Sequence, residues 1–344
     1  MKPLMAVAVS GGVDSLIAAH LLKEQGHNVI GVHFLTGYED TACFENQGNQ
    51  IAKQLDITVK TIDCSVEFKK KIVDYFIATY LNGKTPNPCL MCNPLIKFGT
   101  VLEYCSGLGA SRLATGHYAA INVDDTGGFH LLRGRDRVKD QSYFLAFMTQ
   151  GQLARACFPL ENMTKAEVVK LAKDKGFKAA IKAESQDICF INTKTYGQFL
   201  ESQDGFRAKP GIIEDVNGNM LGEHNGLHMF TTGQRRGINR PAKEPYYVVR
   251  IDTAKNRLIV GFKKDLHSFG CKITNINWIN YKPDSPIKIY ARLRYRQKAV
   301  AATLFPTDTD KAFIRFDNMQ SAASPGQGAV FYKGDEVLGG GQID

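Results

Sequence analysis

The chain has 344 residues, 44% of them hydrophobic, more than one core usually serves, so two or three domains are expected. A formal net charge of +9 suits a polyanionic partner without naming one. Eight cysteines spread over this length exclude a disulfide scaffold and point to a reducing, cytoplasmic setting, and apolar runs such as Leu4–Val9 fall short of the ~18 residues a membrane helix needs.

In chain order, the first half alternates short apolar runs, Leu4–Val9, Val29–Phe34, Ile57–Ile62 and Arg112–Thr115, with segments of helical period, Ser15–Gln25, Asn46–Leu55 and Val66–Leu81. Unalternated strands separated by helices predict an α/β fold with a doubly wound parallel sheet, and ligands at the carboxyl ends of its strands. Lys165–Lys175 is a further helix and Phe206–Gly222 reads as turn-rich. From about residue 205 the pattern becomes short β runs, Tyr246–Ile251, Arg257–Val260, Ile287–Leu293, Ala312–Phe316 and Gly328–Tyr332, with a second break near Leu266–Cys271.

The first strand runs into Ser10-Gly11-Gly12-Val13-Asp14-Ser15 and then into a helix. Backbone N–H groups gathered at a helix N-terminus grip phosphate, the glycines allow close approach, and Asp14 suits a helix cap or a magnesium ion beside the phosphates. The loop lacks the Lys-Ser/Thr of a Walker motif and the third glycine of a dinucleotide turn. It resembles the PP-loop of ATP pyrophosphatases, which implies cleavage of ATP between its α and β phosphates and adenylation of a carbonyl or carboxylate oxygen.

Thr85–Asn93 places Cys89 and Cys92 three residues apart on a proline-stiffened loop, with a helix expected from near Pro94. Cys189 follows the polar run Glu184–Asp187 and precedes a short apolar stretch. Half of a structural zinc site and an ordinary core thiol are the plain readings of these cysteines, and no second Cys-x-x-Cys completes a zinc site. Beside an adenylating loop, two separated thiols make chemical sense as a persulfide carrier and the thiol that resolves it.

Taken together with Ala114–Tyr118, Lys139–Tyr143, Ser185–Ile191, Gly233–Gly237, Arg294–Gln297, Pro325–Gln327 and Gly339–Gly341, these motifs make the chain similar to the bacterial tRNA-specific 2-thiouridylases over nearly its whole length. The resemblance implies a catalytic PP-loop domain (1–204), a small central β-rich domain (205–268) and a C-terminal β-barrel (269–344). It implies Cys92 as nucleophile and Cys189 as persulfide carrier, with Ala8, Val9, Ser10, Gly11, Gly12, Val13, Asp14, Ser15, Phe34 and Gly116 around ATP. It places His117, Lys139, Asp140, Gln141, Arg294, Tyr295 and Gln327 against tRNA, and gives 2-thiouridine at the wobble position as the product.

One residue departs from that pattern. Cys89 stands where the family usually carries an aspartate assigned to acid–base work, so Cys89, Cys92 and Cys189 are also a candidate ligand set for a 4Fe-4S cluster with one iron open to sulfide. Sulfur would come from an upstream donor protein or from sulfide. Three basic groups, Arg133–Lys139, Gln234–Arg240 and Arg292/Arg294/Arg296, interleave with Tyr143, Phe144 and Tyr295 as an RNA surface would, although the last group also fits the solvated face of a strand. A ligase acting on a small carboxylate needs no paired thiols, and a non-catalytic RNA-binding protein leaves Ser10–Ser15 unexplained.

Overall fold

The structure is a computed structural model; it describes residues 2–39, 41–178, 188–191, 195–321 and 323–344, with side chains omitted for 41–47. Of the segment Glu184–Ile191, residues 184–187 therefore lie outside the described residues.

Strands β1 (Leu4–Ala8), β2 (Asn28–Leu35), β3 (Thr58–Asp63) and β4 (Arg112–Ala114) form where apolar runs were read. The hairpin β5 (Ala119–Val123) and β6 (Phe129–Arg133) follows, and then a short strand β7 (Ala156–Cys157). The parallel sheet has the order β3-β2-β1-β4-β7. β1 is buried almost throughout because its neighbours flank it on both edges and helices cover both faces. The chain leaves β1 toward β2 on one side and reaches β4 on the other, so the loop after β1 sits at the topological switch point. The helix Val13–Glu24 then packs back through Leu16, Ile17, Ala19 and Leu22.

The second half is all β, and its elements begin earlier than expected. β8 (Gly211–Asp215) lies within the stretch that reads as turns, and β9 (Met220–His224) begins in it. They join β10 (Tyr247–Asp252) and β11 (Arg257–Gly261) in the order β10-β11-β8-β9, around Ile213, Val248, Leu258 and Val260. The last domain comprises β12 (His267–Trp278), β13 (Ile287–Arg292), β14 (Val300–Pro306), β15 (Ala312–Ser321), β16 (Gly328–Lys333) and β17 (Glu336–Ile343). β12 pairs with β15 in its first half and with β17 in its second, and this closes a barrel. Two register shifts in β12, one at Ser268/Gly270 and one at Thr274/Asn277, supply the bend that the change of partner requires.

The barrel is joined to the first domain through backbone. β6 pairs with β17, Val337 against Leu131 and Glu336 against Leu132, so the hairpin β5–β6 extends the barrel sheet. Asn277 adds two bonds, its Nδ2 donating to the carbonyls of Ala146 and Met148 at 3.0 Å each.

Candidate active site

The loop after β1 meets a helix with no side-chain cap: Gly12 is the N-cap in an extended conformation, and its neighbour Gly11 has φ 76°. The first N–H groups of the helix therefore lack the usual side-chain acceptor and face the space beyond the strand ends. Ser15 ties the loop together, its Oγ donating to the Gly12 carbonyl at 2.9 Å and accepting from the Ser10 N–H at 3.2 Å. Asp14 accepts from the Tyr118 hydroxyl at 2.7 Å and from the Lys165 ammonium at 2.7 and 2.8 Å. Gly116 packs directly on the loop. A Cβ there would stand 2.8 Å from the Asp14 carbonyl carbon and 2.9 Å from the Ser15 nitrogen, so only glycine fits.

A cavity of about 1620 Å³ opens from this loop. Ala8, Ser10, Gly12, Val13, Asp14, Ser15, Phe34 and Gly116 line it, whereas Val9 is buried behind it and Gly11 is not on its wall. Cys89, His117, Lys139, Asp140, Gln141, Arg294, Tyr295 and Gln327 line the same space, which brings residues from the first and third domains to one chamber.

The cysteine segment differs from the expected loop. A helix starts at Pro88, which occupies its first turn, where the missing N–H costs nothing, and both Cys89 and Cys92 lie within it. Cys89 is exposed to the cavity, Cys92 is half-buried and Cys189 is exposed. Phe190 anchors Cys189: its ring lies 5.3 Å from Phe76 and 5.4 Å from Phe199. The protein mass around the chamber makes thiolate formation costly, pushing Cys92 up to about 12 and Cys189 up to about 11 and raising Cys89 as well. Negative charge on Cys89 or Cys189 raises Cys92 further, as does charge on Cys64, a buried cysteine just past β3 that the sequence reading gave no role. The three predicted cysteines are thus electrostatic neighbours. Thiolate is the ligand type that an iron–sulfur cluster takes, so their chemistry fits one. Among the described residues no three His, Cys, Asp or Glu groups converge as ligands of a single metal ion do.

His117 is buried, and its Nδ1 is 2.6 Å from the Thr115 hydroxyl. Burial and, to a lesser degree, Lys97 hold it well below the usual imidazole range, so the ring is neutral near pH 7. Asp140 is 2% exposed and pairs with Arg292 at 3.2 Å, so its carboxylate faces protein. The Tyr295 ring lies 4.3 Å from that of Phe144, tilted by 37°. Arg294 donates to the Ser324 hydroxyl and the Thr232 carbonyl. Gln327 holds the cysteine segment, its Nε2 donating to the carbonyls of Thr85 and Pro86 at 3.1 Å each.

The basic groups are less open than their sequence suggests. β13 ends at Arg292, and Arg294 and Arg296 sit in the turn that follows, so the three do not form one strand face. Arg135 pairs with Glu167 and Arg137 with Asp335, whereas Arg235 and Arg236 are exposed. Lys165, Tyr118 and Lys97 escaped the sequence reading as site residues. Only the capping box at Thr164/Glu167 marks the start of the helix that brings Lys165 to Asp14, and nothing local connects the two.

The family model of the tRNA methyl transferase HUP domain matches residues 4–193, that of the tRNA methyl transferase PRC-barrel domain matches 197–262, and that of the aminomethyltransferase β-barrel domain matches 268–343. Fold and chamber together define a HUP-domain protein whose phosphate-gripping loop shares one cavity with a thiol. A tRNA-specific 2-thiouridylase MnmA from Desulfosudis oleivorans is 48% identical over 99% of this chain and 95% of its own length, and one from Geotalea uraniireducens is 42% identical over 99% and 94%. A 4-thiouridine synthetase solved with RNA and ATP shows a distant likeness, at 17% identity and a TM-score of 0.34 over 53% of this chain and 43% of that one. The chain belongs to the tRNA-specific 2-thiouridylase family.

Proposed function

We propose that the chain is a tRNA-uridine 2-sulfurtransferase that uses ATP to activate the O2 atom of the wobble uridine and replaces that oxygen with sulfur. The observation that carries this reading is the single cavity shared by Ser10, Gly12, Val13, Asp14 and Ser15, Cys89 and the aromatic pair Phe144/Tyr295. ATP is placed by its phosphates on the uncapped helix N-terminus. Asp14 is the hard oxygen donor that a magnesium ion carried by ATP takes, and Lys165 neutralises the same carboxylate. The uridine leaves its stack for the chamber, where Tyr295 and Phe144 offer ring faces and Arg294, Lys139 and Gln327 offer polar groups.

O2 attacks the α phosphate, pyrophosphate leaves, and the N3 proton is lost; sulfur then adds at C2 as AMP departs. In a persulfide relay the outer sulfur of a Cys189 persulfide bonds C2, and Cys92 then attacks Sγ of Cys189, breaking the S–S bond so that the outer sulfur leaves with the product and a Cys92–Cys189 disulfide remains for an external thiol to reduce. Among the cysteines with described side chains none is paired in a disulfide. The alternative rests on Cys89 in the chamber: Cys89, Cys92 and Cys189 would hold a 4Fe-4S cluster, which supplies an iron with an open coordination position.

Nucleoside mass spectrometry tests both. Unmodified tRNA incubated anaerobically with protein and MgATP should yield 2-thiouridine, from a persulfide-level sulfur donor in the relay and from sulfide in the cluster route, and Cys92→Ser or Cys189→Ser should each abolish it. Product appearing only after iron–sulfur reconstitution selects the cluster, and full activity in either serine variant overturns that residue's assignment.

A further inference from the structure

The helix that carries Cys89 and Cys92 is not a regular α-helix beyond them. Pro94 has no N–H to donate, and from Asn93 to Val101 the backbone widens into a π-helix. Gln152 supports this stretch from outside, its Nε2 donating to the Pro94 carbonyl at 2.8 Å and to the Phe98 carbonyl at 3.1 Å. A π turn closes over five residues and an α turn over four, so Lys97, five beyond Cys92, comes round to the thiol face. There it lines the chamber with Ser10, Cys89 and His117. One cation thus lies in the cavity that Cys89 shares with the end of the phosphate loop.

Building on the thiolation reading, we propose that Lys97 stabilises the negative charge as it passes from the attacking sulfur to the departing AMP. In that step the S–C2 bond forms while the C2–O bond breaks, and the C2–O electron pair leaves on the AMP phosphate oxygen. Charge sits on sulfur at the start and on phosphate at the end. An ammonium on the wall of the chamber stabilises the path between them, as cations and dipoles placed at the reacting groups do elsewhere. Adenylation moves charge at the other end of ATP, toward pyrophosphate, and depends on the loop. Lys97 therefore acts on the sulfur half of the reaction.

Lys97→Met and Lys97→Arg are compared with the wild type in two assays, tRNA-dependent pyrophosphate release in a single turnover and 2-thiouridine formed. The methionine variant should release pyrophosphate within about two-fold of the wild type and make thiouridine about 100-fold more slowly, with arginine restoring most of the loss. A second readout is independent of turnover. The ratio of alkylation by anionic iodoacetate to that by neutral iodoacetamide at Cys89 and Cys189 should fall several-fold in Lys97→Met and hold in Lys97→Arg. Equal loss of both half-reactions, no loss of either, or an unchanged alkylation ratio overturns the assignment. A wild-type protein that makes no thiouridine overturns the thiolation reading and this one together; one that thiolates while the methionine variant keeps pace overturns this one alone.

Discussion

Asp140 illustrates what one side chain contributes when it is buried with its partner. Its carboxylate, 2% exposed, meets Arg292 of β13 at 3.2 Å, and its Oδ1 also accepts from the Ser142 N–H at 3.1 Å. Arg292 in turn donates to the carbonyls of Gln297 and Tyr295 and lies over the rings of Tyr143 and Tyr295. Removing the carboxylate leaves a guanidinium with most of its water already stripped and no anion beside it. Asp140→Ala should destabilise the protein by about 3–5 kcal/mol in denaturant unfolding and weaken tRNA binding through a misplaced Tyr295. A loss confined to tRNA binding, with stability unchanged, would mean that Asp140 meets the RNA directly.

The turn between β15 and β16 acts as an element, through backbone contact. The Pro325 carbonyl accepts from the Thr85 N–H at 2.7 Å, Gln327 holds the next two carbonyls, and the Tyr143 hydroxyl donates to the Gly328 carbonyl at 2.9 Å. Gly328 is pressed so closely on Leu90 that a Cβ there would overlap the leucine side chain. Gly328→Val should push the cysteine helix out of place. Thiouridine formation should fall at least 100-fold while ATP binding, measured by calorimetry, stays within a few-fold, because the phosphate loop hangs from β1. Comparable loss of both would show that the loop and the cysteine helix move as one.

The same elements show what could be read from the sequence. The phosphate loop and the first four strands were legible because apolar runs, glycines and helix periods are local signals. The start of the cysteine helix at Pro88 was missed because a proline at a helix N-terminus looks like a proline in a loop, and the π-helix because it depends on Gln152 from a distant segment. The Asp14–Lys165 pair joins residues whose separation in the chain only the fold removes. β8 and β9 were hidden by their own turns, since Asn217, Gly218 and Asn219 dominate the stretch.

Across the whole molecule, a titratable clasp links the first domain to the barrel. His130 of β6 reaches Glu336 of β17 with Nδ1 at 2.6 Å and Asp124 with Nε2 at 2.8 Å. Bonding to Asp124 first and Glu336 second raises the imidazole above its usual range, and the same bond holds Asp124 well below the usual carboxylate range. The histidine's contribution is complete below its unfolded value of about 6.5 and is lost as the pH rises through its raised folded value. Asp124's contribution is present above the unfolded carboxylate value of about 4 and is lost only as the pH falls through its depressed folded value. The clasp is therefore strongest in mildly acidic solution. The difference in melting temperature between wild type and His130→Gln should be largest near about pH 5 to 6 and should shrink toward about pH 9. A difference that does not vary with pH would show that the ring acts by packing alone.

β17 has a further consequence for how the enzyme is made. It pairs with β12, with β16 and with β6, so residues 336–343 close the barrel and extend the hairpin of the first domain at once. A ribosome delivers those residues after every residue of the phosphate loop and both cysteine segments. Until then β6 lacks its neighbour, the Gln327 clamp has no finished barrel behind it, and the chamber has no far wall. The chamber is thus completed only once residues 336–343 have been made and paired.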